Sequence, residues 1–296
     1  MPLRSTRRSI GALVLFCLCV SGPAARGADL APGPMLHFCF EDWPPYLTTQ
    51  DGRIEGPMAE IARAVAAHLG AGADFTDLPY GRCLQSVSQG AFDAILTADG
   101  QPGLIAAGPP IAWWNLAAVV RNDWPTNDLH SLEDFRGHRV AKVTSYNDYG
   151  EAVDGFTGWE IENTPDASAS LRMLDAGRVD IVPEDPDWVA IESRNEHLAV
   201  KLLHPDLAAV PQYVMFGRQR ADMAAEFGRA LAAVIADGTA DTIYRRHLGM
   251  SYDALRQRAD TALYGSQPHT ATNRPHPALE PDGFVPKPES GSKHMK

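Results

Sequence analysis

The sequence is short of three things, and each shortage narrows the reading. It has no apolar run long enough to span a bilayer; the only long run lies at the extreme N-terminus. It is poor in basic residues, with 26 Lys and Arg against 37 Asp and Glu and a net charge of −11. Phosphate neutralisation needs clustered Lys and Arg, so no nucleic-acid partner is expected. The net charge does not by itself choose the sign of a small ligand. No Ser-His-Asp, Cys-His or metal-ligating grouping stands out. Three of the histidines, His269, His276 and His294, fall at the C-terminal end without metal spacing, and no metal or other cofactor is expected. What remains is an ordinary globular balance, 45% hydrophobic and 21% charged over 296 residues, enough for two compact lobes or one large domain.

The first residues read as an export signal. Arg4, Arg7 and Arg8 precede the apolar stretch 13–20, and Ala25-Arg26-Gly27 offers small residues for cleavage after Gly27. A plain secretory signal is preferred to twin-arginine export, and the periplasm is the expected location. The removed segment holds four arginines and no acid, which leaves −15 on the mature chain. Cys17 and Cys19 leave with it. The two remaining cysteines, Cys39 and Cys83, face an oxidising compartment and are expected to form one disulfide, two buried thiols being the alternative.

The elements alternate. Residues 35–40 read as a buried strand, followed by Trp43-Pro44-Pro45, where the prolines end regular structure. Met58, Ile61, Ala62, Val65 and Leu69 form one apolar helical stripe, opened by Pro57 and stopped by Gly70. A strand over 73–78, a loop over 79–83, a short helix over 83–89 and a strand over 92–97 complete a β-α-β-α-β unit. A strand over 113–120 follows, and the pattern restarts with strands over 138–144 and 179–183 and helices over 168–174 and 187–194. A strand over 212–217 leads into helices marked by Met223, Phe227, Leu231 and Val234 and by 239–247. From Gly265 the chain is rich in Pro, His and Gly, and 265–296 reads as a disordered tail. Gly90-x-x-Asp93 and Gly177-x-x-Asp180 both join a helix to a strand, which suggests two similar α/β lobes or simply a common junction.

Four segments carry a resemblance. They are Asp42-Trp43-Pro44-Pro45-Tyr46 with Gly56-Pro57, Pro79-Tyr80-Gly81-Arg82-Cys83, Asp175-Ala176-Gly177-Arg178-Val179-Asp180, and Asp237-Gly238-Thr239 through Leu248-Gly249. In this order they resemble the periplasmic solute-binding proteins of polar amino-acid ABC transporters, over about residues 35–250. The resemblance implies an α/β, two-lobed type II periplasmic binding protein fold. Each lobe would be a mostly parallel sheet flanked by helices, the two hinged by crossover strands near Ala118 and Gln212. Lobe 1 would be 28–117 plus 213–264 and lobe 2 118–212. In a parallel sheet the chain after each strand leaves at one edge, which lets Cys39 and Cys83 meet and would stabilise the fold by roughly 3–4 kcal/mol.

Ligands of open α/β sheets bind beyond the carboxyl ends of the strands. That rule selects Glu41, Asp42, Trp43, Tyr46, Tyr80, Arg82, Thr97 and Asp99 on lobe 1. It selects Thr144, Ser145, Tyr146, Asn147, Glu184 and Asp185 on lobe 2. Trp43 and Tyr46 suit stacking on a planar or cationic group. Arg82 suits a carboxylate or pairs with an acid such as Asp42. Thr144, Ser145 and Asn147 can present N–H groups to an anion or cap a helix. Of Trp113 and Trp114, one is expected at the cleft and one in the core; Trp113 is counted with the site. The family's arginine after the third strand is missing: the stretch reads Thr97-Ala98-Asp99-Gly100-Gln101. A cationic, neutral or aromatic ligand becomes the better fit, unless Arg82 takes the carboxylate.

The leading expectation is a monomeric, non-enzymatic protein that captures a small polar ligand, an amino acid or a relative, for an inner-membrane ABC permease. The alternatives are a dehydratase or lyase with Glu184 or Asp185 as general acid, and a sensor or docking protein without a permease.

Overall fold

The computed structural model describes residues 33–146 and 149–266. The expected leader with Cys17 and Cys19, Asn147 and the tail from 267 onward with its histidines lie outside the described residues. The first half runs β1 (Met35–Phe40), a hairpin of β2 (Thr48–Gln50) and β3 (Arg53–Glu55), α1 (Pro57–His68), β4 (Gly72–Asp77), α2 (Tyr80–Ser88), β5 (Ala94–Ala98), β6 (Leu104–Ala106) and β7 (Ala112–Arg121). Then come β8 (Arg139–Val143), α3 (Glu151–Gly155), β9 (Glu160–Thr164), α4 (Ala167–Asp175), β10 (Val182–Glu184), α5 (Pro186–Asn195), β11 (Val200–Leu202) and β12 (Ala208–Gly217). Three helices close the chain: α6 (Ala221–Ala236), α7 (Thr239–Leu248) and α8 (Tyr252–Asp260).

The largest sheet runs β10-β7-β12-β5-β1-β4, with β11 added on β7 and β6 on β12. It is parallel where β1 pairs with β4 and β5, and antiparallel where β7 and β12 meet. β7 and β12 are the two ten-residue strands. β7 pairs with β12 through its first half and with β10 and β11 through its second. β12 continues past β7 to pair with β5 and β6. A parallel pair, β8 and β9, touches the large sheet's side of the chain through the Val140–Ile181 bridge.

Apolar burial is divided rather than continuous. A first core gathers α1, β1, α6 and α7 around Phe38, Phe216 and Phe227, whose rings stand 5.5–6.3 Å apart. The α1 stripe read from the sequence is buried there: Met58, Ile61, Ala62 and Val65 are all at most 1% exposed. A second core holds Leu116, Phe135, Val140, Tyr149 and Trp159, with a smaller cluster of Leu171, Leu174, Val179 and Val189 beside it. Gly108 and Gly228 let the chain before β7 pack directly on α6; a Cβ on Gly228 would stand 2.6 Å from the Gly108 nitrogen.

The two Gly-x-x-Asp junctions do the same work. Asp93 accepts from the His37 N–H of β1, and Asp180 accepts from the Arg139 N–H of β8. In both, the aspartate N–H donates back to the carbonyl of that same partner residue. Each junction therefore clamps the start of the neighbouring parallel strand.

Two expectations change. The segment 79–83 is not a loop: the helix begins at Tyr80, so Tyr80 and Cys83 share α2. α8 went unread, although Ser251 caps it and Tyr252, Leu255 and Ala259 bury one face. The chain after it does not lose order at 265, since Ser266 bridges to Ala209. Leu263 and Tyr264 pack on the second core, and the Tyr264 hydroxyl accepts from the Leu132 N–H.

Candidate functional site

A cleft of about 440 Å³ lies at the carboxyl ends of six strands. β1 leads to Glu41, Asp42 and Trp43; β4 to Tyr80 at the start of α2; β5 to Thr97 and Asp99. On the other side β8 leads to Tyr146, β9 to Asp166 and Ser168 at the start of α4, and β10 to Glu184, with Trp188 and Glu192 on α5. Trp114 of β7 and Gln212 of β12 form its floor.

The strand alternation of β7 decides the tryptophans. Trp113 points into the first core, 5% exposed, with its ring 5.2 Å from Tyr252. Trp114 faces the cleft instead, edge-on to Tyr146 at 5.2 Å. Its Nε1–H donates to Glu184 Oε1 at 3.1 Å. Tyr146 also meets Tyr80 edge-on at 6.1 Å, so one aromatic surface runs from α2 across to β7.

Glu184 is 4% exposed. Its Oε1 takes both the indole and the Asp185 N–H, at 2.8 Å, while Oε2 is buried with no hydrogen-bond partner. Burial drives its pKa up to about 7, against the pull of those two donors, and the charge of Glu41 adds to the rise. Burial likewise raises Glu41, whose carboxylate accepts from the Tyr80 N–H. Tyr80 donates its hydroxyl to Asp99 at 3.1 Å, and Gln101 donates to the same carboxylate oxygen. Burial and these acids hold the Tyr80 and Tyr146 hydroxyls well above their ordinary pKa, so both stay neutral donors.

Eight of the residues singled out from the sequence line the cleft: Glu41, Asp42, Trp43, Tyr80, Thr97, Asp99, Tyr146 and Glu184. The others lie elsewhere. Tyr46 is fully buried and donates to Asp187 Oδ2 at 2.8 Å, which ties the loop after β1 to α5. Arg82 lies on the exposed face of α2, outside the lining. Thr144 donates to the Thr164 carbonyl, and Ser145 is half-buried outside the lining. Asp185 is fully buried and accepts from the Asp187 and Trp188 N–H groups, as the N-cap of α5.

Sequence reasoning did not select Trp114 over its neighbour, nor Asp166, Ser168, Trp188, Glu192 and Gln212. The helical spacing of Trp188, Ile191 and Glu192 was a signal for one shared face. Asp166 was hidden because β9, the strand before it, is almost wholly exposed and shows no apolar alternation.

The profile of the bacterial extracellular solute-binding proteins, family 3, matches residues 36–250. The chain belongs to that family. Its solved relatives agree in fold. An ancestral arginine-binding protein bound to arginine superposes with a TM-score of 0.61 at 21% identity, covering 73% of this chain and 98% of that one. A putative L-cystine ABC transporter protein from Listeria monocytogenes gives 0.60 at 18%, over 74% and 99%. A histidine kinase sensor domain similar to periplasmic binding proteins gives 0.62 at 23%, over 74% and 98%. None of the curated proteins matches the chain in sequence. This solute-binding protein has the two-lobed type II α/β architecture, with a curled sheet and flanking helices. Its Cys39 and Cys83 are joined, Cα atoms 5.7 Å apart, at the edge of the cleft where β1 ends and α2 starts.

Proposed function

We propose that this protein captures a small polar ligand in the cleft, in the periplasm, and delivers it to an ABC permease of the inner membrane. Lobe 1 (28–117 plus 213–264) and lobe 2 (118–212) close on the ligand about β7 and β12. The observation that carries the reading is the cleft itself, with aromatic and polar side chains converging on it from strand ends on both sides. Membership of the solute-binding family supports it.

The test is native mass spectrometry of the protein purified from periplasm without added ligand. A copurified small mass that is lost on denaturation is the expected result. A bare protein that also binds no compound in a metabolite screen would sink the reading and turn attention to a partner protein.

One observation favours a second reading. A buried carboxyl with a pKa near 7 in a cleft is what a general acid requires, so Glu184 could serve a lyase on this scaffold. Turnover of a bound carboxylic acid, lost in Glu184→Gln, would establish it; unchanged ligand after prolonged incubation would remove it.

A further inference from the structure

The charges around the cleft are one-sided. Glu41, Asp42, Asp99, Asp166, Glu184 and Glu192 line it, and none of its lining residues among the described residues is Arg, Lys or His. A ligand carboxylate would find no cationic partner here and would rely on neutral donors, and the backbone N–H groups among them gather at helix N-termini. Three helices open on this cleft, and each start already holds a carboxylate of the chain. Glu41 accepts from the first N–H of α2. Asp166 accepts from the Ala169 N–H of α4 at 2.7 Å. Asp185 accepts from two N–H groups at the start of α5. At each start one or two of the N–H groups that could stabilise a ligand's carboxylate are already taken, and the acid that takes them sets its own negative charge against a second one.

The opposite demand is open. Glu184 Oε2 is an acceptor, more than nine-tenths buried in the cleft lining, with no donor. An acceptor in that position is costly to leave unmade and calls for an N–H. Trp114 donates to the other oxygen of the same carboxylate, and Tyr146 and then Tyr80 continue the aromatic surface from it, with faces and edges suited to a cation.

We propose that the cleft takes an organic cation that bears N–H donors and no carboxylate. An alkylamine or guanidine head sits among Trp114, Tyr146 and Tyr80, with Glu184 Oε2 as its acceptor. This rests on the capture reading and narrows its ligand. The acids further out, Asp42 and Glu192, suit a second positive charge at the other end of the molecule.

Calorimetric titration of the ligand-stripped protein with matched pairs tests it. Agmatine is compared with L-arginine and cadaverine with L-lysine, and tetramethylammonium serves as a cation without N–H. The expected result is that at least one decarboxylated member binds about a hundredfold tighter than its amino-acid counterpart, since the carboxylate would be buried unpaired beside acids. It also binds about tenfold or more tighter than tetramethylammonium, which cannot donate to Glu184. Glu184→Gln keeps its Oε1 acceptor, so it is expected to fold and to lose that affinity. Equal or tighter binding of arginine or lysine overturns the inference while capture stands. So does tetramethylammonium binding as well as the amines, or full affinity in Glu184→Gln. If no probe binds, the inference falls, and copurified mass from periplasm then decides separately whether capture survives.

Discussion

The two walls of the cleft handle negative charge differently. On the wall built from β1, α2 and β5, each carboxylate is tied into the scaffold. Glu41 receives the Tyr80 N–H, Asp42 the Thr49 N–H, and Asp99 the Tyr80 hydroxyl and the Gln101 amide. A disulfide fixes the same edge. On the wall from β9, β10 and α5, Asp166 caps a helix and Glu192 receives the Ser168 hydroxyl, but Glu184 keeps one buried oxygen without a donor. The first wall spends its hydrogen bonds on its own shape. The second holds a group that is strained by burial until something enters, which is the arrangement expected where binding must be favourable only with the right head group.

Loss of the disulfide attacks the first wall most. Cys39→Ser with Cys83→Ser opens a loop of 44 residues and is expected to lower unfolding free energy by about 4 kcal/mol, read as a large drop in urea midpoint. A change below about 1 kcal/mol would show that the wall stands without its covalent tie.

The second wall is tested by pH. Folded Glu184 keeps its proton up to about pH 7, whereas an unfolded glutamate loses it near its ordinary value, so between these the folded state holds more protons. Stability of the ligand-free protein from this group is therefore full at low pH and is lost as pH rises through about 7, by on the order of 3 kcal/mol. Glu41 and Asp185, also raised by burial, act in the same direction. Asp180 and Glu60 are lowered by Arg139 and by His247 with Arg246, and act oppositely, but below their ordinary range. Urea unfolding between pH 5 and pH 8 reads the combined slope, and comparison with Glu184→Gln extracts the share of Glu184. Glu184→Gln is expected to make the profile shallower and to exceed the parent protein in stability at pH 8; a parallel profile would break the contrast between the walls.

Tyr80→Phe removes the hydroxyl that Asp99 accepts and is expected to cost about 1–2 kcal/mol, measured by the same unfolding. The smallest effect is expected at Arg82→Ala. The residue is exposed on α2 away from the cleft, so both stability and ligand affinity should stay within about 0.5 kcal/mol of the parent. A tenfold loss of affinity would bring Arg82 back as a carboxylate partner.

Much of this was legible from residue order. The α1 stripe, the strand that carries Cys39, the repeated Gly-x-x-Asp junctions and the absence of an arginine after Thr97 are local facts, and each has a local cause in periodicity, left-handed glycine or residue type. Trp113 and Trp114 show where legibility stops. Which one reaches the cleft depends on the register of β7 against β12, a pairing between residues about a hundred apart in the chain. β9 and α8 escaped for a similar reason. The one is exposed on nearly every residue and held by parallel pairing to β8, and the other is a short, polar helix whose buried face is defined by what it packs on.

The sequence by itself determined the main helices and strands of the two halves, the family and the one-sided charge, because composition and periodicity act over a few residues at a time. Only the tertiary structure decided which carboxylate oxygens accept the chain's own N–H groups and which, Glu184 Oε2 and Asp185 Oδ2 among them, are buried without a donor. That outcome depends on helix starts and strand ends brought together from distant parts of the chain, where a hydrogen bond is made or missed over less than an ångström.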